Sequence, residues 1–298
     1  MLKVKISPEY NLPRYVIEAL ERDDYSYADK DEKTLSVTEL IDSPTVSKLS
    51  RRNDGVIYVR PSMLTFSLYG TLAHLLLDRN VSTVKKMRVT VDIAHGWKLT
   101  GEWDNYEPEE QIIYDNKFIH HRSLNYHKKK NEIQLNLYAY LIKKKYGWNT
   151  KKLMNTYWVR SLTERDLENP KYPDELIFTE ERRLWSYAEQ HLYVTNRLAE
   201  YLDDPAKGCN SEERWETERS WCITRKNAES SLKNYTVKKE AAERLLQLRK
   251  NGNNKYHIQY RKGEDVRCHR WCTVKDFCQY YKRTYTVVNA FEELMKVK

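Results

Sequence analysis

Two aspartates and a lysine near the middle of the chain have the types and spacing of a divalent-metal site. Asp104 precedes Asp115 by eleven positions, and an apolar run leads into Asp115 and Lys117. Because side chains alternate across a β-strand, Asp115 and Lys117 are expected on one face, about 7 Å apart. Converging carboxylates repel each other unless a cation lies between them, and their hard oxygens suit Mg²⁺ or Mn²⁺. Such a metal activates water and stabilises charge on a phosphate, with Lys117 beside it.

Polar residues in two flanking segments extend this site. His74 lies among leucines one helical turn after Gly70, which leaves room beside it, and neutral imidazole is a good metal ligand. Further along, Gln134 and Tyr138 are one turn apart on a strongly apolar helix. Buried polar groups need partners, which a phosphate or a metal-bound water would supply. The structural alternative is that all three are satisfied core residues.

The order of these motifs resembles the RecB-like branch of the PD-(D/E)XK nucleases. The pattern reads Gly-x-x-x-His, Gly-x-x-Asp, Asp-x-Lys and Gln-x-x-x-Tyr, and it ends at Tyr138. Ser36–Pro44 resembles the segment that leads into this core in phage and prophage proteins of the branch. Cys209–Trp215 and the terminal cysteines resemble their tail. The chain departs from the family at Trp103, where proline is usual, and at Phe118, where threonine is usual.

The resemblance implies both roles and a fold. It implies that His74, Asp104 and Asp115 bind the metal and that Lys117 is the catalytic lysine. Gln134 and Tyr138 would lie on the helix of the active site. The implied fold class is α/β, with a PD-(D/E)XK nuclease core in which helices flank a mixed sheet. N-terminal helices would precede this core, and a helical, cysteine-rich C-terminal region would follow it.

The cysteines predict a second metal centre. All five follow residue 208, and the spacing of Cys268, Cys272 and Cys278 lets three thiolates close on one metal. Zinc and a [4Fe–4S] cluster both take four thiolates, and spacing does not choose between them. The resemblance implies that Cys209 is the fourth ligand, in preference to Cys222, and it favours the [4Fe–4S] cluster. Buried free cysteines are the structural alternative.

Charge points to a polyanionic partner. The net charge is +9 and the pI is about 9.1. A basic rim beside a metal site is what a phosphodiester substrate requires, although any one basic run can be an ordinary solvated face. The chain also has 23 tyrosines and 8 tryptophans, which could stack on exposed bases. The basic runs are Lys85–Lys86, His120–Arg122, His127–Lys130 and Lys143–Lys145.

The order of the elements fits an α/β core. Ser36 and Glu39 form a capping box before a helix, and His95–Gly96 predicts a turn between two strands. Leu153–Arg160 predicts a further strand, and Phe178–Leu202 predicts one long helix. Three segments are therefore expected: a helical lead-in at 1–55, the nuclease core at 56–165, and at 166–298 a helical region with a cysteine metal-binding tail.

The resemblance and the site together predict a metal-dependent deoxyribonuclease. It would act like an exonuclease on DNA ends or single strands, in recombination or phage DNA processing, alongside other recombination proteins. The alternatives are a non-catalytic nucleic-acid-binding or scaffold protein built on a nuclease core, and an enzyme acting on RNA. No apolar run is long enough to cross a bilayer, and the N-terminus lacks a signal region. The expected location is the cytoplasm, of a bacterial host cell if the chain is phage-encoded, with no membrane partner.

Overall fold

Two compact units make up the chain. A computed structural model describes residues 4–21, 31–77, 79, 84–124, 128–203, 208–225, 228 and 230–286. The units are Met1–Lys207 and Gly208–Lys298. The two units meet after residue 207, whereas the sequence analysis placed segment boundaries after residues 55 and 165. The roles assigned to those three segments stay predictions. Within the described part of the chain, no helix is both long enough and apolar enough to span a bilayer.

The first unit combines helices with a mixed sheet. Its elements are β1 (Val4–Ile6), α1 (Arg14–Glu21), β2 (Thr34–Ser36), α2 (Val37–Ile41), α3 (Pro44–Arg52), β3 (Ile57–Val59), α4 (Pro61–Leu77), β4 (Val84–Asp92), β5 (Lys98–Glu107), β6 (Ile112–Ile119), α5 (Lys128–Tyr146), β7 (Lys152–Val159), β8 (Ile177–Arg182) and α6 (Tyr187–Leu202). The predicted capping box is present, since Ser36 accepts from the N–H of Glu39 and the Glu39 carboxylate accepts from the N–H of Ser36. The predicted turn is also present: His95 and Gly96 have φ of 58° and 70° and join β4 to β5.

Strand β5 pairs with three other strands of a six-stranded sheet. Its start pairs in parallel with β2, and its length pairs antiparallel with β4. Only its last residues pair with β6, from Asn105 opposite Tyr114 onward. Beyond β6 the order continues with β7, which is parallel to β6, and β8, which is antiparallel to β7. The sheet is therefore mixed, and its strands β5 and β6 separate just before Asn105.

Helix α5 covers one face of this sheet and forms the centre of the core. It contacts β4, β5, β6 and β7, and most of its residues from Ile133 to Ile142 are buried. Gly101 on β5 allows the helix to approach closely. A Cβ placed there would lie 2.6 Å from Leu141 Cδ1 and 3.2 Å from Tyr138 Cε1. The glycine in the Gly-x-x-Asp motif therefore seats Tyr138, a predicted site residue, against the sheet.

Helix α4 contacts β6 from the opposite face. Lys117 reaches α5, whereas the ring of its neighbour Phe118 lies against His74 of α4, and successive strand residues point to opposite faces. The side of α4 away from the sheet is apolar yet open to solvent: Leu72, Leu75 and Leu76 are 55–62% exposed. Helix α4 is thus held to the sheet along one side.

The long helix predicted over Phe178–Leu202 is wrong. Residues Ile177–Arg182 form β8, and α6 begins only at Tyr187. Ser186 caps α6 through a capping box with Glu189, which starts the helix there. Upstream of that cap, pairing with β7 and burial of Arg182 hold the chain in an extended conformation.

The second unit contains a sheet of its own. Its described elements are β9 (Ser220–Arg225), β10 (Ser231–Tyr235), α7 (Lys238–Lys250), β11 (Tyr256–Arg261), α8 (Val266–Arg270) and α9 (Gln279–Tyr281). The strands form an antiparallel sheet in the order β10-β9-β11, and α7 contacts all three. Cys222 and Ile223 of β9 are fully buried, as is Ala241 of α7. The prediction of a helical C-terminal region therefore missed this sheet.

Replacing Gly101 with alanine tests the close approach of α5. We expect Gly101→Ala to lower the free energy of unfolding by about 1–3 kcal/mol, because the new methyl overpacks a buried contact. The matched control is Gly70→Ala in α4, where an added Cβ meets nothing within 4 Å. Alanine in a helix interior is expected to stabilise by up to about 1 kcal/mol. Urea denaturation measures both, and equal effects would contradict the assignment.

Candidate active site

Asp104 lies where β5 and β6 stop pairing. The ladder between them ends at Asn105 and Tyr114, one position away. Beyond that point the Asp104 carboxylate accepts the backbone N–H of Asn116, with 2.7 Å between Oδ2 and N. The carboxylate thus takes a hydrogen bond from the strand that no longer pairs with its own backbone. This holds Asp104 beside Asp115 although eleven positions separate them in the sequence.

His74 approaches the other oxygen of Asp104. Its Nδ1 is 3.6 Å from Asp104 Oδ1, and the two side chains are 24% and 14% exposed. The imidazole packs edge-on against the ring of Phe118, with centroids 6.1 Å apart, and Phe118 in turn stacks on Trp158. The residue that replaces the family's usual threonine therefore supports the histidine.

Asp115 and Lys117 share the face of β6 that meets α5, as their spacing predicts. Lys117 Nζ is 2.7 Å from Asp115 Oδ2 and donates to Gln134 Oε1 at 2.8 Å. Gln134 Nε2 donates to the hydroxyl of Tyr138 at 2.7 Å. One continuous chain of contacts therefore links four predicted residues, and Asp104 with His74 lies at the adjoining end of β5.

Burial and, after it, the negative charge of Asp115 raise the pKa of Asp104 to about 6. His74, the N–H of Asn116 and Lys117 act in the opposite direction without cancelling these effects. The charge of Asp115 thus opposes the ionisation of Asp104. A cation between the two carboxylates would remove that opposition.

The donors at this site fit a hard divalent cation. Two carboxylates and an imidazole are ligands that Mg²⁺ or Mn²⁺ accepts. Within the described residues, no three His, Cys, Asp or Glu side chains already stand in the arrangement of a metal-ion site. Metal binding by His74, Asp104 and Asp115 therefore stays a prediction.

Sequence reasoning missed Asn155 and Arg182, which hold Asp115 from behind. Asn155 lies opposite Asp115 in the parallel ladder, and its Nδ2 donates to Asp115 Oδ2 at 2.9 Å. Its Oδ1 accepts from Arg182 Nε, also at 2.9 Å. Because arginine can only donate, it fixes which end of the amide faces the carboxylate. Parallel register would have pointed to Asn155 only if the strand order had been known.

Arg182 is itself held by a buried polar network. It is 8% exposed, and one of its terminal nitrogens lies 2.6 Å from both the Tyr157 hydroxyl and Glu180 Oε2. Lys128 of α5 binds the other oxygen of Glu180 at 2.9 Å. The carboxylate of Glu180 therefore balances the buried guanidinium. The position of Asp115 thus depends on side chains from β7, β8 and α5.

Replacing Asn155 with alanine tests this support. We expect Asn155→Ala to lower the free energy of unfolding by about 1–3 kcal/mol, because Asp115 and Arg182 each lose a buried partner. Asn169→Ala is the matched control, since Asn169 lies in an exposed loop and accepts one bond from the N–H of Lys171. Chemical denaturation compares the two variants. A loss no larger than that of the control would show that Asn155 is dispensable.

The cysteines of the second unit lie near one another, with one exception. Burial, together with the charges of Asp265, Cys272, Cys209 and Cys278, raises the pKa of the Cys268 thiol to about 12. The four cysteines predicted as cluster ligands are therefore within electrostatic range. Cys222 is buried in β9, beside the hydroxyl of Ser220. No three of these described thiols stand in the arrangement of a metal site, so their ligand roles stay a prediction.

Asp265 ties the cysteine-bearing segments together. Its Oδ2 accepts from the hydroxyls of Tyr280 and Tyr285 at 2.8 and 2.6 Å. Its Oδ1 accepts from Arg214 Nε at 2.9 Å, and Arg214 also donates to the carbonyl of Cys209. One buried carboxylate thus joins the segment of Cys209, the helix of Cys268 and the chain after Cys278.

Comparisons with known proteins give distant structural likenesses. No family model matches the sequence, and no curated protein matches it significantly. The crystal structure of SSO0001 is similar with a TM-score of 0.41 and 16% identity, over 66% of this chain and 90% of that one. A phage related exonuclease from Haemophilus somnus 129PT is similar with a TM-score of 0.34 and 14% identity, over 63% of this chain and 84% of that one. With TM-scores below 0.5, the function has to be inferred from the site itself.

Proposed function

We propose that this chain is a metal-dependent deoxyribonuclease. The observation that carries the proposal is the position of Lys117, which touches Asp115 and Gln134 beside a second carboxylate, that of Asp104. Paired carboxylates next to a lysine suit hydrolysis of a phosphodiester, in which a metal activates water and the ammonium stabilises charge on the phosphate. A purely structural role would not require two mutually repelling carboxylates in one cluster.

The side chains divide the work of the proposed reaction. His74, Asp104 and Asp115 would hold Mg²⁺ or Mn²⁺, which supplies an activated water when bound. Lys117 has its ammonium fixed by Asp115 and Gln134, so it can neutralise the phosphate or orient the water without first becoming ordered. Tyr138 accepts from the Gln134 amide and so keeps the oxygen of that amide towards Lys117.

The order of the motifs supports a finer proposal. We place the chain with the RecB-like PD-(D/E)XK nucleases, acting like an exonuclease on DNA ends or single strands in recombination or phage DNA processing. Other recombination proteins would be its partners, and the cytoplasm of a bacterial host would be its location. The net charge of +9 is consistent with a nucleic-acid substrate.

Digestion of labelled linear DNA tests the enzymatic proposal. Wild type is expected to cut with Mg²⁺ or Mn²⁺ and not with a chelator. Lys117→Ala should reduce cutting at least about a hundredfold, because it removes a positioned charge from the reacting phosphate, and should keep DNA binding. Lys98→Ala is the matched control: Lys98 also lies in the sheet and pairs with a carboxylate, Asp31 at 3.1 Å, but it is about 20 Å along β5 from Asp104.

Other outcomes of the same assay identify the rival functions. If wild type and Lys117→Ala behave alike, the enzyme proposal fails, and DNA binding without cutting would identify a non-catalytic binding or scaffold protein. Cutting of RNA in preference to DNA in a parallel digestion would reassign the substrate. If Lys98→Ala also lost activity, the loss in Lys117→Ala would be attributed to disruption of the fold and not to the missing ammonium group.

We also propose that Cys209, Cys268, Cys272 and Cys278 hold a [4Fe–4S] cluster, with Zn²⁺ as the alternative. Cys272→Ser is expected to lose most of the bound metal, because a cluster needs all four thiolates. Cys222→Ser, which alters the cysteine buried in β9, should retain it. Metal and sulfide analysis with the visible spectrum measures this: a brown protein with iron supports the cluster, and a colourless protein with stoichiometric zinc rejects it. Equal metal content in the two variants would contradict the ligand assignment.

A further inference from the structure

One of the four basic runs lies at the end of the strand that carries the proposed catalytic residues. His120, His121 and Arg122 follow directly after β6, about 10 Å along the chain from Lys117. The parallel ladder of β6 and β7 ends with Ile119 opposite Val159, and the N–H of Arg160 donates to the carbonyl of Ile119. Arg160 therefore lies beside His120, so two strand ends bring two histidines and two arginines to one place.

The other basic runs have different surroundings. In the run on α5, Lys128 pairs with Glu180 at 2.9 Å and Lys130 with Asp42 at 3.5 Å. At the end of that helix, Lys143 donates to the carbonyl of Gly147 and to Asn149. These lysines serve ion pairs within the chain or the end of the helix. The side chains of Lys85–Lys86 and residue His127 lie outside the described residues.

The two imidazoles present a matched pair of donors. Nδ1 of His120 accepts the backbone N–H of Arg122 at 3.2 Å, which places its ring proton on Nε2. The Ser161 hydroxyl accepts the backbone N–H of His121 and lies 2.9 Å from Nδ1 of His121. When the hydroxyl donates its own hydrogen to Nδ1, Nε2 of His121 carries the ring proton, as in His120. The ring centroids are 4.3 Å apart, so the two imidazoles are neighbours.

The charge around these donors selects an anion. The pKa of His120 is lowered by burial and by the positive charges of His121, Arg122 and Arg160. Two arginines beside the imidazoles oppose a metal cation there. Asp166 lies within electrostatic range of His121, and its carboxylate accepts from the N–H and hydroxyl of Thr163 in a capping box. Two ring donors and two guanidinium groups instead suit the oxygens of a phosphate.

We propose that His120, His121, Arg122 and Arg160 form a binding site for a phosphate of the nucleic-acid strand. This rests on the proposed function, because it assigns the site to the strand that enters between Asp104 and Lys117. The site holds a phosphate next to the scissile one and so positions the strand along β6. Terminal and internal phosphates share this chemistry, and the experiment distinguishes them.

Binding of short labelled single strands, measured without divalent metal in the Lys117→Ala background, tests the site independently of cutting. The double variant Arg122→Ala/Arg160→Ala is expected to lose affinity roughly tenfold at low salt. The slope of log K against log salt should fall by about 0.7 for each lost phosphate contact. Arg183→Ala/Arg219→Ala is the matched control, since it removes the same charge from side chains that are 67% and 63% exposed. Equal losses in both doubles would overturn the proposal.

Two substitutions of His121 test its ring donor separately. Gln offers an amide donor near the position of Nε2, so His121→Gln should retain more affinity than His121→Ala. Equal loss in both, with unchanged thermal stability, would overturn the role of the N–H donor. A merely structural histidine would lower the melting temperature instead.

Strands with and without a terminal phosphate identify the source of the ligand. A loss in the arginine double variant with unphosphorylated strands identifies an internal phosphodiester. A loss confined to phosphorylated ends identifies a terminal phosphate, and either result supports the site. If inorganic phosphate competes but no strand depends on the arginines, the assignment to nucleic acid is overturned. Strand binding through these arginines in a chain that never cuts would defeat only the proposed function.

Discussion

The hydrogen bond from the backbone of Asn116 to the carboxylate of Asp104 holds the candidate site together. Where β5 and β6 separate, a side chain replaces the backbone acceptor that a continuing ladder would supply. The bond thus ties the two strands together beyond the end of their ladder. Because the Asn116 N–H fixes the Asp104 side chain, its carboxylate stays close enough to Asp115 for their charges to oppose each other. His74, which contacts Asp104, and Lys117, which contacts Asp115, are therefore held in one cluster.

Helix α5 connects this centre to the core of the first unit. Its buried side forms the main apolar cluster with β5, and its polar exceptions, Gln134 and Tyr138, reach the site. Gly101 sets the distance between helix and strand. Because the same helix turns supply both apolar packing and contacts to the candidate site, a shift that relaxes the core also moves the amide that holds Lys117. Stability and geometry are therefore coupled here through one element.

Local rules predicted the parts of the site that lie close together in sequence. Alternation placed Asp115 and Lys117 on one face, and helical spacing placed Gln134 beside Tyr138. Asn155 and Arg182 could not be found in this way, because their roles depend on which strand lies beside β6 and which beside β7. The residues before Arg182 are charged and favour a helix locally, yet pairing with β7 makes them a strand. The three-stranded sheet of the second unit was missed for a related reason, since its strands are short and polar at their ends.

Helix α4 differs from the rest of the site in how it is held. Asp104, Asp115 and Lys117 are anchored in a sheet whose strands are paired, whereas His74 belongs to a helix with exposed leucines along its outer side. Elements with fewer buried contacts open at a lower free-energy cost than paired strands do. The site therefore has a stiff half and a compliant half. In the proposed metal site, His74 would leave and return while the carboxylates keep their places, so exchange of the ion would not disturb the sheet.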